Sequence, residues 1–441
     1  MRQHIVRILA CLALSAAPFV SFGVERFPPP EFESGYKMPA TTTPAPRAEW
    51  LGWLDVAVLA GALSLASYLA LKKRSRDGIL ALAVFSLLYF GFYRKGCVCA
   101  IGSIQDVSLA LFNSSYTVPL TVLAFFLLPI VFTLFFGRAF CGAVCPMGAF
   151  QDLVTLKPVK VPTWLEHALG VVPFVYLGAA VLFAATGSAF IICQWDPFVA
   201  LYRRSGSSGM LTLGAAFLIV GVFIGRPYCR FLCPYGAVLS LLSRFSKWNV
   251  ELSPDDCIHC HICDVACPYG AIAEPAADAN ARPTGKNWAR LAALAVLLPL
   301  LIGGGAWLGH RLSVPFSRMH YTVSLAERIA AEDAGNVQGE TDESKAFRQT
   351  GKPNEELYAD ALRARGWFAN GGWWFGAFVG LVFGVKLISL WRPQRHVIYE
   401  PDPANCVACG RCYVYCPKEL VRLKRLQKKN FIPLTQGAVN R

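Results

Sequence analysis

Apolar runs dominate this chain and predict helices that cross a membrane. Six runs of about twenty residues are long enough to cross the roughly 30 Å hydrocarbon core of a bilayer, and a seventh is shorter. They lie near residues 50–71, 116–136, 168–190, 209–225, 291–309 and 372–390, with the shorter one at 79–93. Hydrophobic residues make up 55% of the chain and charged residues only 16%, which is too apolar for a soluble domain. We therefore expect a mainly α, polytopic membrane protein with about seven transmembrane helices.

The first residues contain a further apolar stretch, at 8–22, which follows two arginines. This pattern is typical of a secretory signal sequence or a membrane anchor, and we assign residues 1–23 to it. No clean small-x-small cleavage site follows, so cleavage is left open. Residues 24–48 are then a Pro-rich linker on the outer side of the membrane.

The positions of the basic residues predict the orientation of the spans. If the linker lies outside, the first transmembrane helix (49–77) enters the cytoplasm at KKRSRD, and residues 137–166, 226–288 and 392–441 also lie inside. These segments are rich in Lys and Arg, as the positive-inside rule requires, whereas residues 313–370 are mixed in charge and fall outside. The formal net charge of +14 is therefore attributed to membrane orientation, and no nucleic-acid partner is expected.

Two cysteine runs carry the clearest chemical signal. CIHCHICDVACP begins at residue 257 and CVACGRCYVYCP at residue 406, and both fit the C-x2-C-x2-C-x3-C-P pattern of bacterial ferredoxins. The first run also contains Cys-x-x-Cys-His, the attachment signature of c-type haem. Its cytoplasmic position and the second complete run favour the iron–sulfur interpretation. Four-cysteine zinc sites usually divide into two separated C-x2-C pairs, which these runs do not.

In two-cluster ferredoxins the first three cysteines of each run bind one cluster, and the fourth binds the other. This rule predicts two [4Fe-4S] clusters, one held by Cys257, Cys260, Cys263 and Cys416, the other by Cys406, Cys409, Cys412 and Cys267. The ferredoxin halves, 245–285 and 392–441, are separated in the chain by two transmembrane helices at 286–312 and 371–391. Because two crossings return the chain to the same side, we expect a cytoplasmic ferredoxin-like module split by a transmembrane hairpin.

An internal repeat lies within the transmembrane core, residues 78–244. GRAFCGAVCPMGAFQDL and GRPYCRFLCPYGAVLSL, which start at residues 137 and 225, align without gaps. The repeat predicts two parallel units packed about a pseudo-twofold axis normal to the membrane. Four cysteines of the two C-x3-C-P motifs would then face one another: Cys141, Cys145, Cys229 and Cys233. They either hold a further iron–sulfur cluster near the inner membrane boundary or are reduced structural or transient redox thiols.

Three other cysteines are predicted at the outer surface: Cys97, Cys99 and Cys193. They either bind a metal or relay centre or form a disulfide, which the outer compartment permits. The outer segment 313–370 is interpreted either as a small helical domain that docks a periplasmic partner or as a solvated spacer.

On these two ferredoxin runs and two C-x3-C-P repeats, the chain resembles the NosR/NapH family of membrane polyferredoxins over roughly residues 75–425. The resemblance implies a bacterial inner (cytoplasmic) membrane protein that moves electrons between a quinone or quinol pool, or a cytoplasmic donor, and a periplasmic reductase or maturation system. NosR-type members carry a large outer flavin-binding domain. No flavin site is found in this chain, so an outer flavin or haem would belong to a partner.

The combined interpretation is an electron-transfer subunit of an oxidoreductase system. The alternative is an assembly or regulatory factor that reduces metal or thiols during maturation of a respiratory metalloenzyme. No catalytic residue is assigned, because no hydrolytic constellation is present and the spans contain no paired histidines for a b-type haem. The expected partners are membrane lipid, a quinone or quinol, and a periplasmic redox protein.

Overall fold

The structure is a computed structural model that describes residues 47–96, 99–252, 257–275, 285–390 and 398–430. The predicted signal or anchor, nearly all of the outer linker and Cys97 lie outside the described residues. The described part is mainly helical, and its only strands are two short ones.

The helices of the first half of the chain form the bundle that contains the repeat. They are α1 (Glu49–Ser67), α2 (Arg76–Ser86), α3 (Ser103–Phe112), α4 (Leu120–Phe136), α5 (Pro146–Val154), α6 (Thr163–Leu169), α7 (Val172–Ala185), α8 (Ile191–Trp195), α9 (Pro197–Arg203), α10 (Ser208–Phe223), α11 (Pro227–Phe231) and α12 (Pro234–Leu242). π-Helical turns extend α1 and α2 and precede α5, at Tyr68–Lys72, Leu87–Tyr93 and Phe140–Val144, and a 3₁₀ turn at Ser243–Phe245 follows α12.

The second half of the chain carries the ferredoxin runs, a long helical hairpin and an outer segment. Its elements are α13 (Ile262–Ala266), β1 (Ile272–Ala273), α14 (Gly285–Arg311), α15 (Ser313–Ser317), α16 (Tyr321–Asp333), α17 (Asp342–Gln349), α18 (Asn354–Leu390), β2 (Glu400–Pro401), α19 (Arg411–Tyr415) and α20 (Pro417–Asn430).

Five helical segments within the described residues are long and apolar enough to cross a membrane. They are Glu49–Lys72, Arg76–Tyr93, Thr163–Ala185, Ala292–Arg311 and Asn354–Leu390. The bent pair α9 and α10, which meet at 108°, would add a sixth, and α4 is a shorter apolar helix of 17 residues. The chain is therefore a multi-pass membrane protein, and helices occupy all seven predicted positions. The number of crossings and the side that each loop faces stay predictions.

Glycines hold α14 and α18 together as a close hairpin. One face of α18 is lined by four buried glycines spaced four residues apart, namely Gly372, Gly376, Gly380 and Gly384. A Cβ on Gly376 would overlap the carbonyl oxygen of Gly305, and one on Gly309 would overlap the Gly372 carbonyl. Because small residues let helix backbones approach closely, dispersion contacts can hold this pair where lipid offers no hydrophobic driving force.

Residues beyond the hairpin form a small helical unit with its own core. Helices α15 to α17 pack against the first turns of α18, and buried side chains such as Val323, Leu325, Ile329, Leu357 and Ala361 fill the space between them. A capping box at Thr341 and Ser344 starts α17. The segment 313–353 is therefore folded, rather than an extended spacer.

We expect Gly376→Leu to separate the hairpin, because its side chain would overlap the Gly305 backbone. Overpacking of a close contact costs about 1–3 kcal/mol. Gly304→Leu is the matched control, since a Cβ at Gly304 meets no atom within 4 Å. Thermal unfolding of the two variants in the same detergent measures the difference, and equal melting temperatures would contradict the glycine contact.

Candidate iron–sulfur sites

A short antiparallel sheet joins the two ferredoxin-type runs. β1 pairs with β2, and Ile272 lies opposite Pro401. Beside this pair, the Asp402 N–H donates to the Ala271 carbonyl oxygen at 2.7 Å. These bonds connect segments that lie on either side of the hairpin in the chain, so the structure brings the two runs into one module.

The two runs share the same left-handed turns. His259 and Ala408, each the residue before the second cysteine of its run, have φ values of 52° and 53°. His261 and Gly410, each the residue after that cysteine, have φ values of 61° and 72°. Non-glycine residues rarely adopt this conformation, and successive turned backbone N–H groups form concave anion-binding loops. The matching turns give both runs the local geometry that suits a group bound by thiolates.

One cavity, here called the first pocket, has about 440 Å³ of space and is lined by four cysteines: Cys257, Cys260, Cys263 and Cys416. Three of these come from the first run and the fourth from the second. Tyr399 also lines this pocket, and its hydroxyl contacts the imidazole of His261 at 2.5 Å from Nδ1. Tyr399 was not singled out in the sequence, and no motif marks it.

The second pocket has about 360 Å³ of space and is lined by Cys406, Cys409, Cys412 and Cys267. Here three cysteines come from the second run and one from the first. The two pockets thus contain the two crossed sets of cysteines predicted above. That these cysteines act as cluster ligands remains a prediction.

The chemistry of both pockets fits an iron–sulfur cluster. Burial raises the pKa of Cys406 to about 12 and that of Cys263 to about 11, so binding iron would replace a proton at each sulfur. Thiolates are the soft ligands that iron–sulfur clusters take. Within the described residues, no three His, Cys, Asp or Glu side chains converge closely enough for a single metal ion. Each pocket instead has four cysteines arranged around one space.

Asp152 links the ferredoxin module to the repeat. Its carboxylate lies 2.6 Å from Arg76, 2.9 Å from Arg411 and 3.6 Å from Arg226, measured from the guanidinium nitrogens. The Tyr269 hydroxyl donates to it at 2.8 Å. Arg76 lies at the start of α2, and Arg411 lies in the second cysteine run. Arg226 belongs to the second repeat unit, and Tyr269 directly follows the first cysteine run. No sequence motif marks this site, because Asp152 lies in the first repeat outside the C-x3-C-P motif.

Nearby arginines lower the pKa of Asp152 and so keep its carboxylate ionised. Burial alone raises the pKa of Asp152, but Arg76, Arg411 and Arg226 outweigh burial and hold that pKa well below its usual value. Arg76 also donates to the Cys409 carbonyl oxygen at 2.7 Å, and Arg411 lines the second pocket. Positive charge therefore borders the cysteines of the second pocket.

The two repeat units face each other with matching contacts. Arg226, in the second unit, donates to the carbonyl oxygens of Cys141 and Gly142 in the first unit. A Cβ on Gly148 of the first unit would lie 3.0 Å from a guanidinium nitrogen of Arg226, and a Cβ on the equivalent Gly236 would lie 3.5 Å from one of Arg138, the equivalent arginine of the first unit. This reciprocal arrangement is the one expected for a pseudo-twofold axis.

The C-x3-C-P sequence positions its cysteines at helix starts. A residue before proline is forced into the extended region, and proline is favoured in the first helical turn. Cys145 and Cys233 accordingly have ψ values of 117° and 113°, immediately before α5 and α12. Burial raises the pKa of Cys233, and the thiolates of Cys229, Cys145 and Cys141 raise it further. All four cysteines pack in or against the same buried core.

One member of this group reaches the ferredoxin module. Cys141 packs against the buried cluster that includes Tyr269 and Cys409, and a Cβ on Gly142 would overlap the Val407 carbonyl oxygen. The first repeat thus touches the loop that carries the second pocket. Cys229 instead accepts a hydrogen bond from the Gln151 side chain at 3.2 Å.

The outer cysteines lie closer to the repeat than expected. Cys193 Sγ and Cys99 Cβ both lie within 4.0 Å of the position that a Cβ on Gly102 would take. Cys99 also lines a cavity of about 430 Å³ together with Cys145. Cys97 lies outside the described residues. The structure places Cys193 near the turn that holds Cys99, and Cys99 in the wall of a cavity that Cys145 also lines. That the outer cysteines bind a metal or form a disulfide remains a prediction.

Two family models, each described as a 4Fe-4S binding domain, match the chain. One matches residues 118–171 and 208–253, which contain the two C-x3-C-P motifs, and the other matches 250–273. No solved structure matches. The chain is thus a membrane protein with 4Fe-4S binding domains, and these indicate iron–sulfur clusters.

Several known proteins are similar in sequence to this chain. An uncharacterized protein of Methanocaldococcus jannaschii is 28% identical over 190 residues, which cover 41% of this chain and 77% of the relative. Protein NirI of Paracoccus denitrificans is 32% identical over 32% of this chain and 22% of the relative. Regulatory protein NosR of Stutzerimonas stutzeri is 28% identical over 45% of this chain and 29% of the relative. The chain thus spans less than a third of the length of the last two proteins. These similarities support a relationship to the NosR/NapH-type membrane polyferredoxins and an iron–sulfur electron-transfer or regulatory role.

The crossed arrangement of the two pockets predicts how cysteine substitutions combine. We expect Cys267→Ser and Cys409→Ser to remove the same cluster, because both residues line the second pocket. The double variant should therefore lose no more iron than either single variant. Cys267→Ser combined with Cys260→Ser, which alters the first pocket, should lose the iron of both clusters. Iron and sulfide analysis of protein purified without oxygen measures this, and the opposite pairing would refute the crossed sets.

We expect Asp152→Asn to destabilise the protein strongly, because it leaves buried arginines without their counter-charge. Breaking a buried ion pair in this way costs about 3–5 kcal/mol. Since the pKa of Asp152 is held below its usual value, its stabilising effect is complete above that usual value and is lost only as the pH falls through the lowered one. The difference in melting temperature between wild type and variant should therefore stay constant from about pH 6 to pH 8. A difference that changes sharply over this range would contradict the assignment.

Proposed function

We propose that this protein carries electrons across the membrane between a quinol or cytoplasmic donor and a periplasmic redox partner. One observation carries the proposal, which is that cysteines occur at successive positions through the molecule. The β1–β2 pair joins the two cysteine runs in one ferredoxin-like module, Cys141 packs against cysteines of the second pocket, and Cys99 lines a cavity with Cys145. A bilayer core of about 30 Å is too thick for a site at one surface to serve both faces, so the buried cysteines supply the intermediate site.

The eight ferredoxin cysteines are proposed as the ligands of two [4Fe-4S] clusters. Cys257, Cys260, Cys263 and Cys416 would hold one cluster, and Cys406, Cys409, Cys412 and Cys267 the other. A [4Fe-4S] cluster supplies one-electron transfer without moving a proton or a chemical group. The left-handed turns at His259 and Ala408 bend the backbone around the pockets. Backbone N–H groups that donate hydrogen bonds to a cluster tune its reduction potential.

The arginines around Asp152 suit an electron-accepting site. Arg76, Arg226 and Arg411 carry more positive charge than the single carboxylate neutralises. Because reduction adds negative charge to a cluster, this surplus favours the reduced state in the second pocket. We expect the group in the second pocket to have the higher reduction potential of the two, so that electrons collect beside Cys141.

Charge supports a cytoplasmic position for the ferredoxin module. Arg74, in the turn between α1 and α2, pairs with Glu419 at 2.8 Å, where the basic helix α20 begins. The positive-inside rule favours this basic surface on the inner side of a bacterial cytoplasmic membrane. The small helical unit at 313–353 would then lie in the periplasm, where it would contact the redox partner.

The second candidate function is regulation or maturation of a respiratory metalloenzyme. The name of the NosR relative, a regulatory protein, favours it. In cells that lack this protein, a periplasmic enzyme with full metal content but slow turnover supports electron transfer. An enzyme that lacks its metal supports maturation instead.

Sealed liposomes that contain the full-length protein test transmembrane transfer. Ferricyanide is trapped inside, and dithionite, which does not cross the bilayer, is added outside. We expect the trapped ferricyanide to be bleached faster than in liposomes without protein. Gly304→Leu should keep the wild-type rate, because a Cβ there meets no atom within 4 Å, and Cys145→Ser should reduce the rate to that of protein-free liposomes. Equal rates with and without wild-type protein would disprove the proposed function.

A further inference from the structure

The first pocket lies at the solvent-facing end of the ferredoxin module. Cys260, which lines this pocket, is exposed, and Cys257 and Cys416 beside it are partly exposed. In the second pocket, by contrast, Cys409 is buried, and the loop that carries it packs against the first repeat. A protein that approaches the module from the surrounding water therefore meets the first pocket.

Exposed apolar side chains border the first pocket. Ile258 lines it and is 55% exposed. Ile262 and Val265 are 41% and 69% exposed and lie three residues apart on α13, so they project from the same side of that short helix. Apolar side chains that are grouped on a surface mark interaction sites more often than those that are scattered singly.

Helix α20 adds a row of basic side chains to the same pocket. Lys418 lies in the pocket wall, and Arg422 and Arg425, both exposed, follow it by four and seven residues on one face of the helix. Glu419 is buried, and it pairs with Arg74 at 2.8 Å and with Arg422 at 3.5 Å. The exposed face therefore keeps a surplus of positive charge.

The apolar and basic parts meet at the first pocket, because Ile258 and Lys418 both line it. We infer that this combined surface, called here the docking face, binds a small, acidic, water-soluble ferredoxin. The docking face consists of Ile258, Ile262, Val265, Lys418, Arg422 and Arg425. Charge complementarity speeds association and fixes the orientation of the partner, whereas the apolar side chains exclude water close to Cys260.

A docked ferredoxin would deliver one electron at a time. Its reduced cluster loses one electron, the first pocket accepts that electron, and no bond or proton changes place. The inference rests on the proposed function for the onward path of the electron, and it names the class of donor. The docking face itself stands on the exposure of Cys260, the apolar border and the basic row.

The membrane surface is a different possible occupant of α20, since anionic lipids attract basic side chains. Attraction to lipid would not require an exposed cysteine pocket between the basic row and the apolar residues. Cys260, Ile258 and Lys418 line one pocket, and this juxtaposition favours a redox protein.

Titration of full-length protein, purified with its iron in nanodiscs of phosphatidylcholine, against an acidic [2Fe-2S] ferredoxin tests the docking face. We expect the Kd to rise as salt is added, because salt screens the charges. Lys418→Glu should raise the Kd about tenfold at low salt. The matched control is Lys247→Glu, which makes the same charge change at an exposed lysine that lines neither cysteine pocket, and its Kd should equal that of the wild type.

The docking face is wrong if the ferredoxin does not bind, if salt has no effect on binding, or if Lys247→Glu weakens binding as much as Lys418→Glu. If Lys418→Glu loses iron, Arg425→Glu decides, because Arg425 lines neither cysteine pocket. A higher Kd in that variant supports the docking face, and an unchanged Kd opposes it.

Nanodiscs that contain phosphatidylglycerol separate the two occupants. Retained binding supports the ferredoxin, whereas loss of binding assigns α20 to anionic lipid and overturns the inference. Transfer from dithionite to trapped ferricyanide without any ferredoxin binding would count against the docking face alone. A ferredoxin that binds and reduces the module, seen by electron paramagnetic resonance, without transfer across the membrane would count against the proposed function alone.

Discussion

The buried carboxylate of Asp152 constrains how the whole molecule assembles. A charge removed from water is tolerated only when it is paired, and Asp152 is paired with groups from four separate segments. Arg411 and Tyr269 belong to the two ferredoxin halves, whereas Arg226 belongs to the second repeat unit. The halves must therefore meet each other and dock on the repeat in one arrangement, or several buried charges lose their partners together.

This constraint explains how a ferredoxin-like module can be interrupted by a membrane hairpin. The insertion is tolerated because α14 and α18 pack so closely that their ends emerge near each other. The glycine face of α18 allows that approach, since Gly376 and Gly380 meet the backbone of α14 without side chains between them. The β1–β2 pair and Asp152 then join the two ferredoxin halves. The hairpin between them anchors this module to the membrane.

Much of this arrangement could be predicted from the sequence, because it depends on patterns among residues that are close in the chain. Apolar runs locate the helices, cysteine spacing identifies the two runs, and an ungapped repeat reveals the duplicated core. The crossed pockets were predictable because the ligand rule of two-cluster ferredoxins pairs cysteines that are far apart in the chain. Asp152 and Tyr399 were not predictable, since their partners are distant in the chain, and Asp152 lies in the first repeat but outside its C-x3-C-P motif. The glycines of α18 could have been found from their spacing of four residues.

The position of Cys99 shows how far the side of the membrane on which a loop begins can guide the grouping of cysteines. The sequence divides the cysteines by the side of the membrane on which their loops begin, and this puts Cys99 with the outer group and Cys145 with the inner group. Loops that fold back among helices do not keep to that division, and Cys99 precedes α3 within the buried core. Cys99 and Cys145 line one cavity although their loops are predicted to begin on opposite sides of the membrane. Contacts between a loop and the helices around it, which depend on residues distant in the chain, therefore decide which cysteines lie close together.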